Sequence, residues 1–265
     1  MFVSYLKHQA KLLLRPNYRK YHLAIKKLSQ TPRYTLTSTN ILGTEIKLVD
    51  SISFLFMYKE IFEQQIYKFK SQTLQPLIID CGANVGLSVL YFKQLYPQSC
   101  ILAFEPDKKV FQVLKTNVEK FELSDVELID KAVWISETTL DFMSEGADGG
   151  RVVQLESEME KYQVKTVRLG DYLHKSIDFL KLDIEGAETE VIKDCKDLLV
   201  NVKNLFVEYH SFANQPQELH TIINMLSEAG FRFHLHQMRP SVHPFYEREI
   251  YSGMDMLLNI FAFRE

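Results

Sequence analysis

From Leu77 onward, short apolar and β-branched runs alternate with stretches whose apolar residues recur every three to four positions. Such alternation predicts parallel strands joined by crossover helices. Leu77 to Asp80 (LIID) reads as a first buried strand and Gly86 to Tyr96 as the helix after it. Ile101 to Glu105 is a second strand, followed by a helix from Asp107 to Phe121 with Val110, Phe111, Leu114 and Val118 at helical spacing. Val126 to Asp130, Ile177 to Asp183 and Asn204 to His210 read as the third, fourth and fifth strands. Further helices are expected from near Ala187 and from Gln217 to Ala229, the second ended by Gly230. The last two runs, FRFHLHQ and MLLNIFAF, alternate in the manner of antiparallel strands. Residues 136–176 read as irregular, with a break at Gly146, Gly149 and Gly150.

The predicted class is therefore α/β: a Rossmann-like, mostly parallel sheet of seven strands with an antiparallel hairpin strand at the C-terminal end. Residues 1–76 do not repeat the pattern. They read as a helix, an extended pair (Tyr34 to Leu36, Glu45 to Val49) and a helix through Phe56 to Phe69, an N-terminal cap on a domain spanning 77–265. No acidic residue precedes Glu45, whereas Lys7, Lys11, Arg15, Arg19, Lys20, Lys26, Lys27 and Arg33 are all basic. Two readings of this segment stand: a helix packed on the domain with a solvated basic face, broken at Pro16, or a weak contact with an anionic membrane surface. The whole chain has a formal charge of −3, which advertises no nucleic-acid partner. Cys81, Cys100 and Cys195 are widely spaced, which fits a reducing compartment and no zinc or disulfide framework. No apolar run is long enough for a membrane span, and Lys7, Lys11 and Arg15 interrupt any signal-peptide core, so the expected location is cytoplasmic.

Asp80-Cys81-Gly82-Ala83-Asn84-Val85-Gly86 falls between the first strand and its helix, where a nucleotide-type ligand binds such a fold. A dinucleotide site would need three glycines in the G-x-G-x-x-G frame; here the positions are Gly82, Asn84 and Leu87. S-adenosylmethionine has no pyrophosphate and does not need them. Its sulfonium and zwitterionic end suit Asp80, with Gly82, Ala83, Asn84, Gly86 and Ser88 as further contacts. Glu105 ends the second strand, placed for its carboxylate to accept both ribose hydroxyls, and Pro106 fixes the following turn. A Glu105→Ala change is expected to cost cofactor affinity with little change in stability. Asp130, Lys131 and Ala132 fall where an adenine would lie.

LIIDCGANVGLS, AFEPD, FLKLDIEGAE and LFVEYH, in that order, resemble the FkbM family of methyltransferases, and SFLFMYKEIF is similar to the lead-in of that family. The resemblance covers roughly residues 50–262. It implies a class I methyltransferase sheet, S-adenosylmethionine as cofactor, and O-methylation of a sugar, glycolipid or natural-product hydroxyl. It also implies that Asp80, Gly82, Asn84, Gly86 and Glu105 serve the cofactor, and that Asp183, Glu185 and Gly186 line the boundary with the acceptor.

A sugar hydroxyl is barely acidic, so its proton must go to a base or be acidified by a metal. Asp183 and Glu185 follow the fourth strand; Glu208 and His210 end the fifth, two apart and so on one side of it. Either His210 is the base, or Asp183, Glu208 and His210 hold a divalent cation such as Mg²⁺. Glu188 reads as a helix-start acid. The Gly146 to Arg151 loop reads as a lid, and Tyr58, Glu60, Tyr67, Arg239, His243 and Tyr246 as residues that face the small-molecule or glycan acceptor. Two rival functions remain on sequence alone: an NAD-dependent oxidoreductase, and a non-catalytic binding protein on the same fold.

Overall fold

The structure, a computed structural model, describes residues 16–143, 151–152 and 161–264. Five strands form the parallel part of the main sheet: β3 (Leu77–Cys81), β4 (Cys100–Phe104), β5 (Val126–Ile129), β10 (Ile177–Leu182) and β11 (Val202–Phe212). Two more, β12 (Arg232–Gln237) and β13 (Met254–Phe263), run antiparallel at one edge, giving the order β12-β13-β11-β10-β3-β4-β5. This is the seven-stranded α/β sheet that the pattern predicts. Chain order reverses direction between β3 and β10, and the crevice beyond the carboxyl ends of such neighbours is where ligands bind in open α/β sheets.

One face of the sheet packs against α3 (Leu87–Leu95) and α4 (Lys108–Lys120), the other against α5 (Glu188–Cys195) and α6 (Leu219–Glu228). β10 is buried along its whole length because helices cover both faces. The segment before β3 joins the first of these layers: Leu28, Ile46, Leu48, Phe54, Ile61 and Tyr67 belong to one apolar cluster with Ile78 and Phe92. Leu28 comes from α1 (Pro16–Ser29), which begins at Pro16, a residue suited to a first helical turn.

Three sequence expectations need correction. The extended pair is β1 (Thr37–Thr39) with β2 (Ile46–Leu48); Tyr34 instead turns at φ 57, its N–H donating to Asp50. The cap helix α2 (Ser51–Tyr58) starts earlier than Phe56, because the Asp50 side chain accepts from the N–H groups of Ile52 and Ser53. It passes into a π-helical turn (Lys59–Glu63) and is over before Phe69, with Gln65 at φ 57. Residues 136–176 are not irregular throughout: β6 (Ala132–Trp134), β7 (Thr139–Met143), β8 (Arg151–Val152) and β9 (Lys161–Arg168) form a second sheet of order β6-β9-β7-β8. Val164 and Thr166 of β9 are buried, and the Thr166 hydroxyl accepts from the Thr138 N–H and donates to the Ser136 carbonyl. No described helix is long and apolar enough to cross a membrane.

Candidate active site

The β3–α3 loop turns through left-handed conformations at Gly82 (φ 88), Asn84 (φ 49) and Gly86 (φ 92). Gly82 is the position no other residue fits, because a Cβ there would lie 2.0 Å from the Asp183 carbonyl oxygen. That close approach locks the loop to the end of β10. Asp80 lies beneath the loop, fully buried; it accepts the Ser88 hydroxyl and pairs with Lys181 Nζ at 3.4 Å. Lys181 stands beside Asp80 in the β10–β3 register, donates to the Gly82 carbonyl at 2.8 Å and pairs with Asp183 Oδ2 at 3.0 Å. One buried ammonium thus ties the loop, the first strand and the fourth strand together.

Glu105, at the end of β4, closes the other side of the loop. Its two carboxylate oxygens accept from the backbone N–H groups of Asn84 and Asp107, each at 2.9 Å. Burial pushes its carboxyl up to about 7 in spite of those bonds.

Carboxylates and one imidazole gather at the ends of β10 and β11. Glu185 adopts a left-handed backbone (φ 56), and Gly186 after it has φ 100 with Phe212 against it. His210 is held at Nδ1 by Glu188 Oε1 (3.2 Å), while Nε2 faces Glu185 Oε2 at 3.4 Å. Glu188 in turn accepts the N–H groups of Ile184 and Gly186, as a helix-start acid does. Burial opposes a charge on His210, but Glu185, Glu188 and Glu208 outweigh it and hold the ring protonated well above the usual histidine range. Burial would also raise Asp183, yet Lys181, His210 and a hydrogen bond with Glu208 hold it below its ordinary value. Glu208 goes the other way: burial and the Asp183 charge push it well up, so it keeps its proton and shares it with Asp183.

Gly82, Glu105, Asp183, Glu185, Glu208 and His210 all open on one cavity of about 640 Å³. A loop at the first strand, an acid at the second and an acid cluster at the fourth and fifth, converging on one space, is the layout that the sequence motifs led one to expect. The family model for the FkbM methyltransferase domain matches residues 80–233, more than half of the chain. The chain belongs to the FkbM methyltransferase family. It is similar to the methyltransferase sdnD of Sordaria araneosa, 32% identical over 221 residues that cover 69% of this chain and 84% of that one. It is also similar to the 2-O-methyltransferase NoeI of Sinorhizobium fredii (strain NBRC 101917 / NGR234), 28% identical over 155 residues, 51% of this chain and 63% of the relative. Among solved structures, a methyltransferase FkbM from Methylobacillus flagellatus KT aligns over 92% of this chain and 59% of its own, with TM-score 0.49 and 15% identity.

In this methyltransferase the expected cofactor residues divide. Gly82, Ala83, Asn84, Ser88, Glu105, Pro106, Ala132 and Asp183 line the cavity. Asp80 and Gly86 do not: Asp80 is spent on Ser88 and Lys181, and Gly86 starts α3 with Leu114 packed where a Cβ would go. Asp130 and Lys131 lie outside the cavity too, Asp130 exposed. Of the residues expected to face the acceptor, Glu60, Tyr67 and Arg239 line the cavity, whereas Tyr58, His243 and Tyr246 do not. Burial and the Asp183 charge push Glu60 up to about 7. The Arg239 guanidinium lies 3.8 Å from the Tyr251 ring and 5.6 Å from Phe56, joining the β12–β13 connection to α2. The expected lid falls mainly on residues 144–150, outside the described residues.

The cation ligand set needs one correction. Among the described residues, the side chains whose donor atoms gather within 4.8 Å are Asp183, Glu185 and His210; Glu208, expected in that set, is instead bonded to Asp183. The residue that sequence reasoning missed is Lys181. Its signal was a lone lysine inside the apolar run IDFLKL, because a lysine in a covered strand is stable only when paired.

Proposed function

We propose that this methyltransferase binds S-adenosylmethionine and moves its methyl group to a hydroxyl oxygen of a sugar, glycolipid or natural-product small molecule. The observation that carries the reading is Glu105. Its carboxylate ends β4, is fixed by the N–H groups of Asn84 and Asp107, and opens on the same cavity as the acid cluster. A carboxylate so placed accepts a ribose diol. The name of the Sinorhizobium relative, a 2-O-methyltransferase, supports oxygen as the acceptor atom.

In the step, the acceptor oxygen attacks the methyl carbon in line with the sulfur. The C–S pair leaves with S-adenosylhomocysteine, and the hydroxyl proton passes to a base on the protein. The chain's work is to hold oxygen, carbon and sulfur in line, worth several kcal/mol of barrier. His210 is poorly suited to take the proton, because the carboxylates around it keep the ring protonated. Glu60 lines the same cavity, and burial with the Asp183 charge pushes its carboxyl up to about 7, which suits it to the base role. Arg239, beside it, orients the acceptor.

The test is calorimetric titration with S-adenosylhomocysteine, with NAD in parallel, followed by transfer of labelled methyl to a panel of hydroxylated acceptors. Saturable binding of S-adenosylhomocysteine alone, then label on oxygen, is the expected result. Binding of NAD alone, or label only on nitrogen, overturns the assignment.

A further inference from the structure

We propose that Asp183, Glu185 and His210 form a binding site for one first-row divalent cation, of the class of Mn²⁺ or Zn²⁺, at the acceptor end of the cavity. The inference rests on the methyl-transfer reading only for its location.

Three features of the geometry support it. The donor atoms of the three residues lie within 4.8 Å of one another, a span that a single ion can bridge with bonds of about 2.0–2.2 Å. His210 is 3% exposed at its side chain, and its Nε2 points into the cluster, paired at 3.4 Å with Glu185 Oε2, so that a metal binding there takes the place of the ring proton. Its other nitrogen is held by Glu188, itself fixed by two backbone N–H groups. A carboxylate behind a histidine, setting the ring so that the far nitrogen faces forward, is the outer-shell arrangement of metal-binding histidines. The third feature is the backbone. Glu185 holds a left-handed conformation (φ 56), and its carboxylate reaches His210 from there.

Charge agrees. Asp183, Glu185 and Glu188 bring three carboxylates to the imidazole end of the cavity, with Lys181 paired to Asp80 and to Asp183 Oδ2. Donor chemistry chooses the metal: two carboxylate oxygens with one imidazole nitrogen suit Mn²⁺ or Zn²⁺, whereas Mg²⁺ prefers oxygen alone.

The full-length chain, stripped with chelator, is titrated with MnCl₂, ZnCl₂ and MgCl₂ by calorimetry, with Mn²⁺ followed also by electron paramagnetic resonance. S-adenosylhomocysteine is titrated on the same samples as an independent readout of the folded cavity. One Mn²⁺ or Zn²⁺ per chain is expected, with Mg²⁺ about tenfold weaker or more. His210→Ala and Glu185→Gln each weaken uptake by about tenfold or more, and both keep a cooperative unfolding transition. A chain that binds S-adenosylhomocysteine but neither metal overturns the site and leaves the methyl-transfer reading intact. Metal uptake unchanged in both variants also overturns it. Metal uptake lost in the variants, in a chain that never binds S-adenosylhomocysteine, supports the site and counts against the methyl donor instead.

Discussion

Replacing Glu105 by glutamine separates what this carboxyl does for the fold from what it does for the ligand. Burial pushes its carboxyl up to about 7 in the native chain, from an ordinary 4.5. Between those two values the folded chain keeps a proton that the unfolded chain has released. The sign follows: Glu105 lowers stability progressively as pH rises from 4.5 to 7, and the penalty is constant above 7. Integrated from pH 5 to pH 8, the loss is about 2–3 kcal/mol. Glu105→Gln cannot titrate and escapes it. Glutamine does lose one acceptor for the Asn84 and Asp107 N–H groups, at about 1–3 kcal/mol, but at every pH alike. The difference between the two proteins should therefore shift by about 2–3 kcal/mol in favour of the variant between pH 5 and pH 8. With a urea m-value of about 3 kcal/mol/M, that is about 1 M in the unfolding midpoint. The same carboxyl must ionise to accept the ribose hydroxyls. Wild-type affinity for S-adenosylhomocysteine should thus rise about tenfold from pH 6 to pH 8, while the variant binds weakly with no such slope. Parallel stability curves would refute the burial argument, and unchanged affinity in the variant would refute the ribose role. The simpler Glu105→Ala change no longer serves as a neutral probe. It strips both N–H groups of their acceptor and should cost about 2 kcal/mol or more, against the expectation from sequence that stability would hardly move.

Lys181→Met leaves Asp80 and Asp183 without their shared cation and should destabilise the fold by about 3–5 kcal/mol, read from urea unfolding; a loss under about 1 kcal/mol would mean that the lysine is not the tie described. Gly82→Ala forces a Cβ into the Asp183 carbonyl, so calorimetry should find S-adenosylhomocysteine affinity reduced by about tenfold or more in a chain that still melts cooperatively. Wild-type affinity there would contradict the loop geometry. A base works when deprotonated, so the rate should climb with pH through about 7, following Glu60. In Glu60→Gln that limb should vanish and kcat fall by about 10²–10⁴; an unchanged pH–rate profile removes Glu60 from the chemistry.

The main sheet was legible because covered parallel strands write themselves as mainly apolar runs, as in LIID and ILAF, and because Gly230 marks a helix end at φ 83. The second sheet was not. Apart from β9 its strands are short, polar and apolar residues mix along them, and the fit of β9 depends on the Thr166 hydroxyl finding partners around residues 136 and 138. Nothing in the local pattern reports a partner about thirty residues away. The start of α2 was written in the sequence, since Asp50 precedes Ser51 to Ser53 in the way of a helix cap; the apolar rhythm further on drew the boundary too late.

For the site, spacing located the acids but could not pair them. Glu208 and His210 are two apart on β11 and both reach the cavity, so sequence geometry made them partners. Yet Glu208 turns its carboxyl to Asp183, and the imidazole meets Glu185 and Glu188 from the turn after β10. What decides this is one backbone angle. Glu185 at φ 56 bends the chain so that three consecutive structural facts follow: its own carboxylate reaches His210, Gly186 packs on Phe212, and the freed N–H groups of Ile184 and Gly186 fall to Glu188. A glutamate in that conformation carries a strain that glycine would remove. Other non-glycine residues such as Glu122 and Asp125 share that conformation, so what singles out Glu185 is the carboxylate that the turn delivers to His210.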